Sequence, residues 1–528
     1  MMRCMPTLRA ELPDDIEALK SLLVESDART VELEQENRRI KAEVLSLQEQ
    51  LNLALARRYA ASSEKISPDQ VRLFDEAEVS CAEADTADAP VSDDEAVVVA
   101  AHRRKKRGRK PLPDNLPRVD IVHELDPAER RCDHDGADLT EIGEVTSEQL
   151  DIIPAQIRVI RHVRKRYACA CGQCIKTAPL PAQPIPKSLA SAGLLAHVVV
   201  SKYQDALPLY RQEQILQRIG VDLPRATLAN WMIQAGQLIQ PLINLMRERL
   251  ISHDIVQMDE TTVQVLKEPG KRAQSKSYLW VQRGGPPDRP LVLYDYDPSR
   301  SQRVPERLLE GFRGYLQTDG YEGYNAVAAK AGIAHVGCWA HARRKFSEAV
   351  KAQGKRQRAG KAWRGLSLIQ KLYRIERLMK DATPEERHAH RQAQAKTVLE
   401  ELREWLDQSL PQVPPKSAIG KALNYLHNEW PKLIRYLEDG RLPIDNNLTE
   451  NAIRPFVVGR KNWLFSDSVR GVKASANLYS LIETAKANGI EPYRYLRHLF
   501  AALPKAETVD DIDTLLPGNV DRDQISLR

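Results

Sequence analysis

From residue 10 to residue 58 the apolar positions keep a seven-residue step. Leu12, Leu19, Leu33, Ile40 and Leu47 share one track, interrupted by Ser26. Ile16, Leu23, Val44 and Leu51 share a second, interrupted by Thr30 and Asn37, with Glu, Gln, Lys and Arg between them. Two such tracks are the a and d seams of a coiled coil, so the pattern predicts a leucine-zipper-like N-terminus over 10–58. Asn37 at an a position would fix register and favour two strands, so self-association is expected. The alternative is a lone amphipathic helix packed on its own domain.

The period then changes several times. Residues 118–180 are short-patterned and β-rich, with strand-like apolar residues through Thr146–Val163. Residues 186–250 return to a helical period. There Tyr210–Trp231 reads as helix, glycine turn at Gly220, and second helix starting near Pro224. Ile215, Ile219, Val221, Leu228 and Trp231 are expected to pack the angle. Arg225, Thr227 and Asn230 would then face DNA, as in a helix-turn-helix. In 251–346, strands are predicted at His253–Leu266, Ser277–Arg283, Pro290–Tyr296, Gly314–Thr318 and Ile333–Cys338. Helices are predicted at Pro305–Phe312 and Tyr321–Ala331. Three successive strands followed by alternating helices and strands match the order of an RNase H-like fold. Residues 347–440 are helical and polar, an expected insertion, and 441–503 would complete the core, leaving 504–528 as a tail. The expected class is therefore multidomain, mixed α and α/β.

Composition narrows the partners. Of 528 residues, 42% are hydrophobic and 28% charged, enough apolar material for several cores. Seven cysteines exclude a disulfide scaffold. Met1 to Asp15 lacks a signal-peptide core and no run reaches a membrane span, so a cytoplasmic, nucleoid-associated protein without a membrane partner is expected. Net charge is only +6, but its distribution is uneven. Nine acidic residues and no Lys or Arg occupy 75–96. Seven basic residues follow in 102–111, including Arg103, Arg107, Arg109 and Lys110. Gly108 and Pro111 prevent a stable helix there, so 75–117 reads as an acidic linker and a basic arm able to lie along phosphates. A solvated tail, or pairing with the acidic block, is the competing reading.

Cys132-Asp-His134-Asp135 and Cys169-Ala-Cys171-Gly-Gln-Cys174 are two knuckles bracketing the β-rich segment. That arrangement suits a structural Zn²⁺ stapling a core too small to hold itself. The candidate ligands are Cys132, His134 or Asp135, Cys169, Cys171 and Cys174; reduced, unmetallated thiols are the alternative.

Asp259 is read at the end of the first predicted strand of the core and Asp319 at the end of the fourth, strands that are adjacent and parallel in an RNase H-like sheet. Glu450 lies at a helix start in Pro443–Arg454. Three carboxylates suit two Mg²⁺ (or Mn²⁺) ions about 4 Å apart, which clamp the attacking and leaving oxygens of a phosphodiester. Glu260, Asp295, Asp297 and Asp445 are competing acids, and alternation would turn Glu260 to the other face of its strand. Arg343 and Arg344 beside His341, and Arg454, Arg460 and Lys461 after Glu450, are candidate phosphate contacts. Trp463 is a candidate stacking residue or, more simply, core.

Taken in order, these motifs resemble the transposases of the insertion sequence 66 family, TnpC type. The matching stretches are Ser62–Lys65, Gly108–Pro111, Cys132–Gly136, Gln149–Pro154, Lys176–Pro179 and Met258–Thr261. Asp319–Tyr321, Cys338–Arg344, Asp445–Asn451 and Gly459–Trp463 complete the set. The resemblance implies a DDE core with Asp259, Asp319 and Glu450 as metal ligands, a leucine-zipper region, a zinc-binding domain and a helix-turn-helix. It also implies accessory partners TnpA and TnpB. The chain departs from the family at the knuckles, where a Cys-x-x-Cys pair is usual at each end. The implied function is a DNA transposase binding element ends and target DNA, with cleavage followed by 3′-hydroxyl strand transfer. A nuclease without strand transfer and a catalytically inactive DNA-binding regulator are its rivals.

Overall fold

A computed structural model describes residues 15–59, 157–168, 175–353 and 360–525. The chain divides into two compact units, Val79–Leu180 and the remainder. The acidic tract, the basic arm with Arg103, Arg107, Arg109 and Lys110, and the knuckle residues Cys132, His134, Asp135, Cys169, Cys171 and Cys174 lie outside the described residues.

Within Val79–Leu180 the described part is an antiparallel hairpin of β1 (Arg166–Ala168) and β2 (Ile175–Thr177), with Tyr167 opposite Lys176. Its open end is closed by Arg164 Nε donating to the Ala178 carbonyl at 2.6 Å. The strand expected through residue 163 does not extend over 157–163. There Ile157, Val159, Ile160 and Val163 are exposed among Arg158, Arg161 and His162, and no strand pairs with them among the described residues.

In the larger unit, α1 (Ile16–Tyr59) is one continuous 44-residue helix. Ile16, Leu23, Leu33, Ile40, Val44, Leu47 and Leu51 of its heptad tracks are exposed, so no seam closes over them among the described residues. Its last turns instead dock by polar bonds. Glu49 accepts from the Ala418 N–H at 2.8 Å, and Asn52 donates to the Ala352 carbonyl at 2.8 Å.

Helix α2 (Ala192–Tyr203) is capped by Ser191, whose hydroxyl accepts from the Leu194 N–H. Next come α3 (Leu209–Arg218) and α4 (Arg225–Leu238), joined through Gly220 at φ +83°, a left-handed turn that suits glycine. Leu216, Leu223, Leu228 and Trp231 fill the angle. Ile215 and Ile219, expected there, are 38% and 53% exposed. The inward face of α3 is set by Gln212 and Leu216, four residues apart, and the two isoleucines sit one step around the helix. Arg225 and Asn230 face solvent and Thr227 is half-buried.

After α5 (Gln240–Ile251) comes the sheet: β3 (Ile255–Lys267), β4 (Lys276–Gly284), β5 (Leu291–Asp297), β6 (Gly314–Gln317), β7 (Ile333–Val336) and, far along the chain, β8 (Ser466–Ser468). The order is β5-β4-β3-β6-β7, with β8 pairing the far end of β3. β3, β4 and β5 run antiparallel; β6 is parallel to β3, and β7 to β6. The connecting helices α6 (Arg303–Leu308) and α7 (Asn325–Ala328) are shorter than the pattern predicts, α7 being preceded by a 3₁₀ turn at Glu322–Tyr324.

Then α8 (Trp339–Ala352), α9 (Lys361–Leu378), α10 (Pro384–His390), a π-turn at Arg391–Ala395, α11 (Lys396–Ser409) and α12 (Ala418–Leu433) build a second apolar core, centred on Trp339, Phe346, Leu372, Leu402 and Leu423. The chain returns through α13 (Asn447–Trp463), α14 (Val469–Ala487) and α15 (Pro492–Ala502) to the first core. Helix α14 covers the outer edge of β5. Ser480 Oγ accepts from the Tyr294 N–H at 2.8 Å, while Thr484 Oγ1 accepts from the Val292 N–H and donates to its carbonyl, each at 3.0 Å. Hydroxyls one helical turn apart thus satisfy an edge that would otherwise invite another strand. On its other side α14 meets α4 closely: a Cβ on Gly236 would lie 2.6 Å from Ala474 Cα, so only glycine admits this crossing.

Candidate active site

Register places the first two acids. Gln257 of β3 is the parallel partner of Gln317 of β6. Two residues on along each strand direction lie Asp259, inside β3 rather than at its end, and Asp319, just past the end of β6, so the two are level with one another across the sheet. Each is held by a local backbone donor: Asp259 Oδ1 accepts from the Glu260 N–H at 2.8 Å, and Asp319 Oδ1 from the Tyr321 N–H at 2.9 Å. Gly320 is required between them and the helices: a Cβ there would lie 2.8 Å from the Tyr425 ring of α12.

Glu450 arrives from α13, in its first turn. Its Oε2 accepts from Arg344 at 3.2 Å, and Oε1 lies 3.7 Å from His341 Nε2, both residues on α8. Burial pushes Asp259 well above the ordinary carboxylate range, and the charges of Glu260, Asp319 and Glu450 push it the same way. The three acids therefore share one electrostatic neighbourhood despite chain gaps of 60 and 131 residues (319 − 259 and 450 − 319). Burial lowers the His341 pKa, with Glu450 opposing. That favours neutral imidazole.

What brings Glu450 here is a polar lattice under the acids. Gln257 Nε2 donates to Gln317 Oε1 at 2.7 Å and to the Asp445 carbonyl at 3.3 Å. Gln317 Nε2 donates to the Pro443 carbonyl at 2.8 Å and to that of Gly337 at 3.3 Å. Asn446 Nδ2 donates to the Met258 carbonyl at 2.9 Å, and its N–H to Cys338 Sγ at 3.2 Å. Thr449 Oγ1 donates to Gln257 Oε1 at 3.3 Å. The segment entering α13 is thereby sewn to both strands. One step further back, the fully buried Arg391 donates to the carbonyls of Tyr436 (2.7 Å), Asp439 (2.9 Å) and Leu442 (2.8 Å) and pairs with Glu376 at 2.7 Å. Asn446 and Thr449 lie in the Asp445–Asn451 motif, whereas Gln257, Gln317 and Arg391 lie in none; for the two glutamines only the Gln–Asp spacing of two in both strands hints at the lattice.

The competing acids have other partners. Asp295 is paired with Arg247 and Asp297 with Arg307. Asp445 Oδ2 accepts from Tyr373 Oη at 2.9 Å. Glu260 is buried and accepts from Tyr324 Oη at 2.6 Å and Arg300 Nε at 2.7 Å, and Arg300 stacks 3.8 Å from the Tyr321 ring centre. Among the basic candidates, Lys461 is exposed. Arg343 lies against the Tyr373 ring, Arg344 reaches Glu450, and Arg454 is half-buried. Arg460 differs from expectation: it spans to β3, donating to the Thr262 carbonyl and, at 2.9 Å, to its hydroxyl. Its guanidinium is committed to the fold because α13 lies directly across β3. Trp463 is half-buried beneath Lys202, 4.4 Å from its ring centre.

The donor set fits hard divalent cations. Glu450 Oε1 is buried without a hydrogen-bond partner, and Asp259 is held towards its protonated form by its neighbours; a bound cation relieves both.

A model described as Transposase IS66 family matches residues 187–474, a span that contains all three acids. The chain belongs to the IS66 transposase family. Three further IS66 models match: the zinc-finger binding domain of transposase IS66 over 129–172, the IS66 C-terminal element over 480–517, and Transposase C of IS166 homeodomain over 46–121. The IS66 chain is similar to uncharacterized protein y4jD of Sinorhizobium fredii (strain NBRC 101917 / NGR234), 36% identical over 445 residues, 80% of this chain and 85% of that one. It is also similar to uncharacterized protein y4qI of the same organism, 32% identical, covering 98% of this chain and 99% of that one. As an IS66 transposase it carries DNA-binding and zinc-finger domains. No helix among the described residues is long and apolar enough to cross a membrane.

Proposed function

We propose that Asp259, Asp319 and Glu450 are the catalytic triad of an RNase H-like core that cuts insertion-sequence ends and joins the freed 3′-hydroxyls to target DNA. The strand order β5-β4-β3-β6-β7, with its first three strands antiparallel and the last two parallel, supports the fold. What supports the chemistry best is the strand register that sets Asp259 level with Asp319, with Asp319 and Glu450 both close enough to act on the charge of Asp259.

Asp259, Asp319 and Glu450 would hold two Mg²⁺ or Mn²⁺ ions, which supply charge neutralisation and activation of the attacking oxygen. The protein's own contribution is placement. The Gln257–Gln317 bond sets Asp259 and Asp319 side by side, and Asn446 and Thr449 fix the helix that presents Glu450. Arg344 holds Glu450 by one oxygen and leaves the other free. DNA is held by the basic arm 102–111, by the exposed face of α4 with Arg225, Thr227 and Asn230, and by Arg343, Arg344, Arg454 and Lys461 around the site. Zn²⁺ in the knuckle domain, pairing of two chains through α1, and accessory TnpA and TnpB complete the reading, in a nucleoid-associated protein.

The deciding experiment uses the element's own ends, intact and pre-nicked, with Mg²⁺. Wild type should cleave the first and join the second. Asp259→Asn, Asp319→Asn and Glu450→Gln should bind ends and do neither. Cleavage without joining would instead identify a nuclease, and full activity in Asp259→Asn would overturn the triad.

A further inference from the structure

Glu450 has a second set of neighbours. Cys338, His341 and Glu450 place one ligand atom each within 4.8 Å of one another. Cys338 and His341 are three residues apart at the start of α8, so the helix turns both towards α13. The Cys338 sulfur is buried, which pushes its thiol pKa up, and it accepts the Asn446 N–H at 3.2 Å. That bond orients the sulfur, as outer partners of metal ligands do, and a bound cation would have to displace its proton. The His341 Nε2 to Glu450 Oε1 separation, 3.7 Å, is beyond hydrogen-bond reach. Two ligands of one tetrahedral ion, each about 2.1 Å from it, sit about 3.4 Å apart. The gap therefore suits a shared cation better than a direct bond. Glu450 Oε1 and His341 Nδ1 are both buried without partners.

We propose that Cys338, His341 and Glu450 form a binding site for a thiophilic divalent cation of the Zn²⁺ class, and that its occupancy withdraws Glu450 from Asp259 and Asp319. The withdrawal rests on the triad reading above; the binding does not. Sulfur and imidazole select Zn²⁺ or Co²⁺ over Mg²⁺, which takes oxygen ligands. Three protein ligands leave a fourth position open, unlike the closed four-ligand sets of structural zinc. A thiophilic ion would thus compete with the triad's ions through the one side chain common to both sets and hold the enzyme off.

The full-length protein is titrated with Co²⁺ alone, and the spectrum of Cys338→Ser is subtracted from that of wild type. Cysteines of the knuckle domain are present in both proteins and cancel. A residual thiolate-to-cobalt charge-transfer band, and one fewer Co²⁺ per chain in the variant, are expected. Identical spectra and stoichiometry would overturn the site. Should Cys338→Ser fail to fold, Glu450→Gln keeps the sulfur and the imidazole and should weaken this Co²⁺ at least tenfold; unchanged affinity would overturn the site. Zn²⁺ added to Mg²⁺-dependent cleavage should inhibit wild type, and Cys338→Ser should need at least tenfold more; equal inhibition would overturn the competition. Absence of cleavage under every condition, with the cobalt band intact, would instead sink the triad reading and leave the site standing.

Discussion

Gln257 and Gln317 meet across two parallel strands through a 2.7 Å hydrogen bond, each two residues before an acid of the site. The pair is buried, and its remaining donors and acceptor reach Asp445, Pro443, Gly337 and Thr449. Side chains from two strands therefore fix the backbone that leads into α13. Together with the apolar packing of Ile453 and Phe456 in the first core, these bonds position a helix whose sequence lies more than a hundred residues beyond the strands.

Replacing Gln257 by Leu keeps the volume and removes the bonds. It leaves the Gln317 amide oxygen and the Asp445 carbonyl buried without their donor, a loss of about 1–3 kcal/mol. Denaturant unfolding should show that loss. Cleavage should fall further than stability accounts for, because Glu450 loses its alignment. Gln257→Glu keeps the shape but carries two acceptors against the Gln317 oxygen, and it should not rescue.

Asp259 supplies a pH-dependent prediction. Its folded-state pKa is raised, first by burial and then by neighbouring acids. The folded state therefore holds its proton more tightly than the unfolded chain, whose aspartates titrate near about 3.9. Its contribution to stability is full below that value and is lost as pH rises through the folded pKa. Asn resembles the protonated acid. Metal-free Asp259→Asn should accordingly melt at a higher temperature than wild type at neutral pH, with the difference vanishing below about pH 4. Mg²⁺ should raise the melting temperature of wild type and leave that of the variant nearly unchanged.

Arg391 is the far anchor of the same lattice. Truncating it to Ala strands Glu376 as a half-buried charge and leaves three carbonyls without their donor, at about 3 kcal/mol. The second core should lose cooperativity, seen as faster hydrogen exchange in α9 and α11, while α14 and the sheet stay protected.

The helices and strands that position the site were legible because their periods are long and regular. The Val256–Met258 and Val263–Val265 alternation of β3 and the buried Leu228, Trp231, Met232 and Ala235 of α4 are examples. Asp259, Asp319 and Glu450 were legible as candidates through their motifs. The lattice was not. Gln257 and Gln317 are polar residues in apolar runs, Asn446 is one of several polar residues in its motif, and nothing in the chain says which buried amides will meet. Ile215 and Ile219 were misplaced for a related reason: a ten-residue helix offers two apolar stripes, and tertiary packing chose the one with Gln212 and Leu216. The described heptad residues of α1 are exposed, so the coiled-coil expectation meets no partner among the described residues.

Arg460 and Lys461 are neighbours in sequence with opposite roles, and salt separates them. Arg460 is tied to Thr262, so Arg460→Ala should lower stability and change the salt dependence of DNA binding little. Lys461 is exposed at the end of α13. If it meets a phosphate, Lys461→Ala should leave the melting temperature alone and flatten the plot of log affinity against log salt by about 0.9. Fluorescence anisotropy across a salt series measures the slope, and thermal unfolding supplies the control. A slope that falls for Arg460→Ala and not for Lys461→Ala would show that the arginine lets go of β3 to take the phosphate itself.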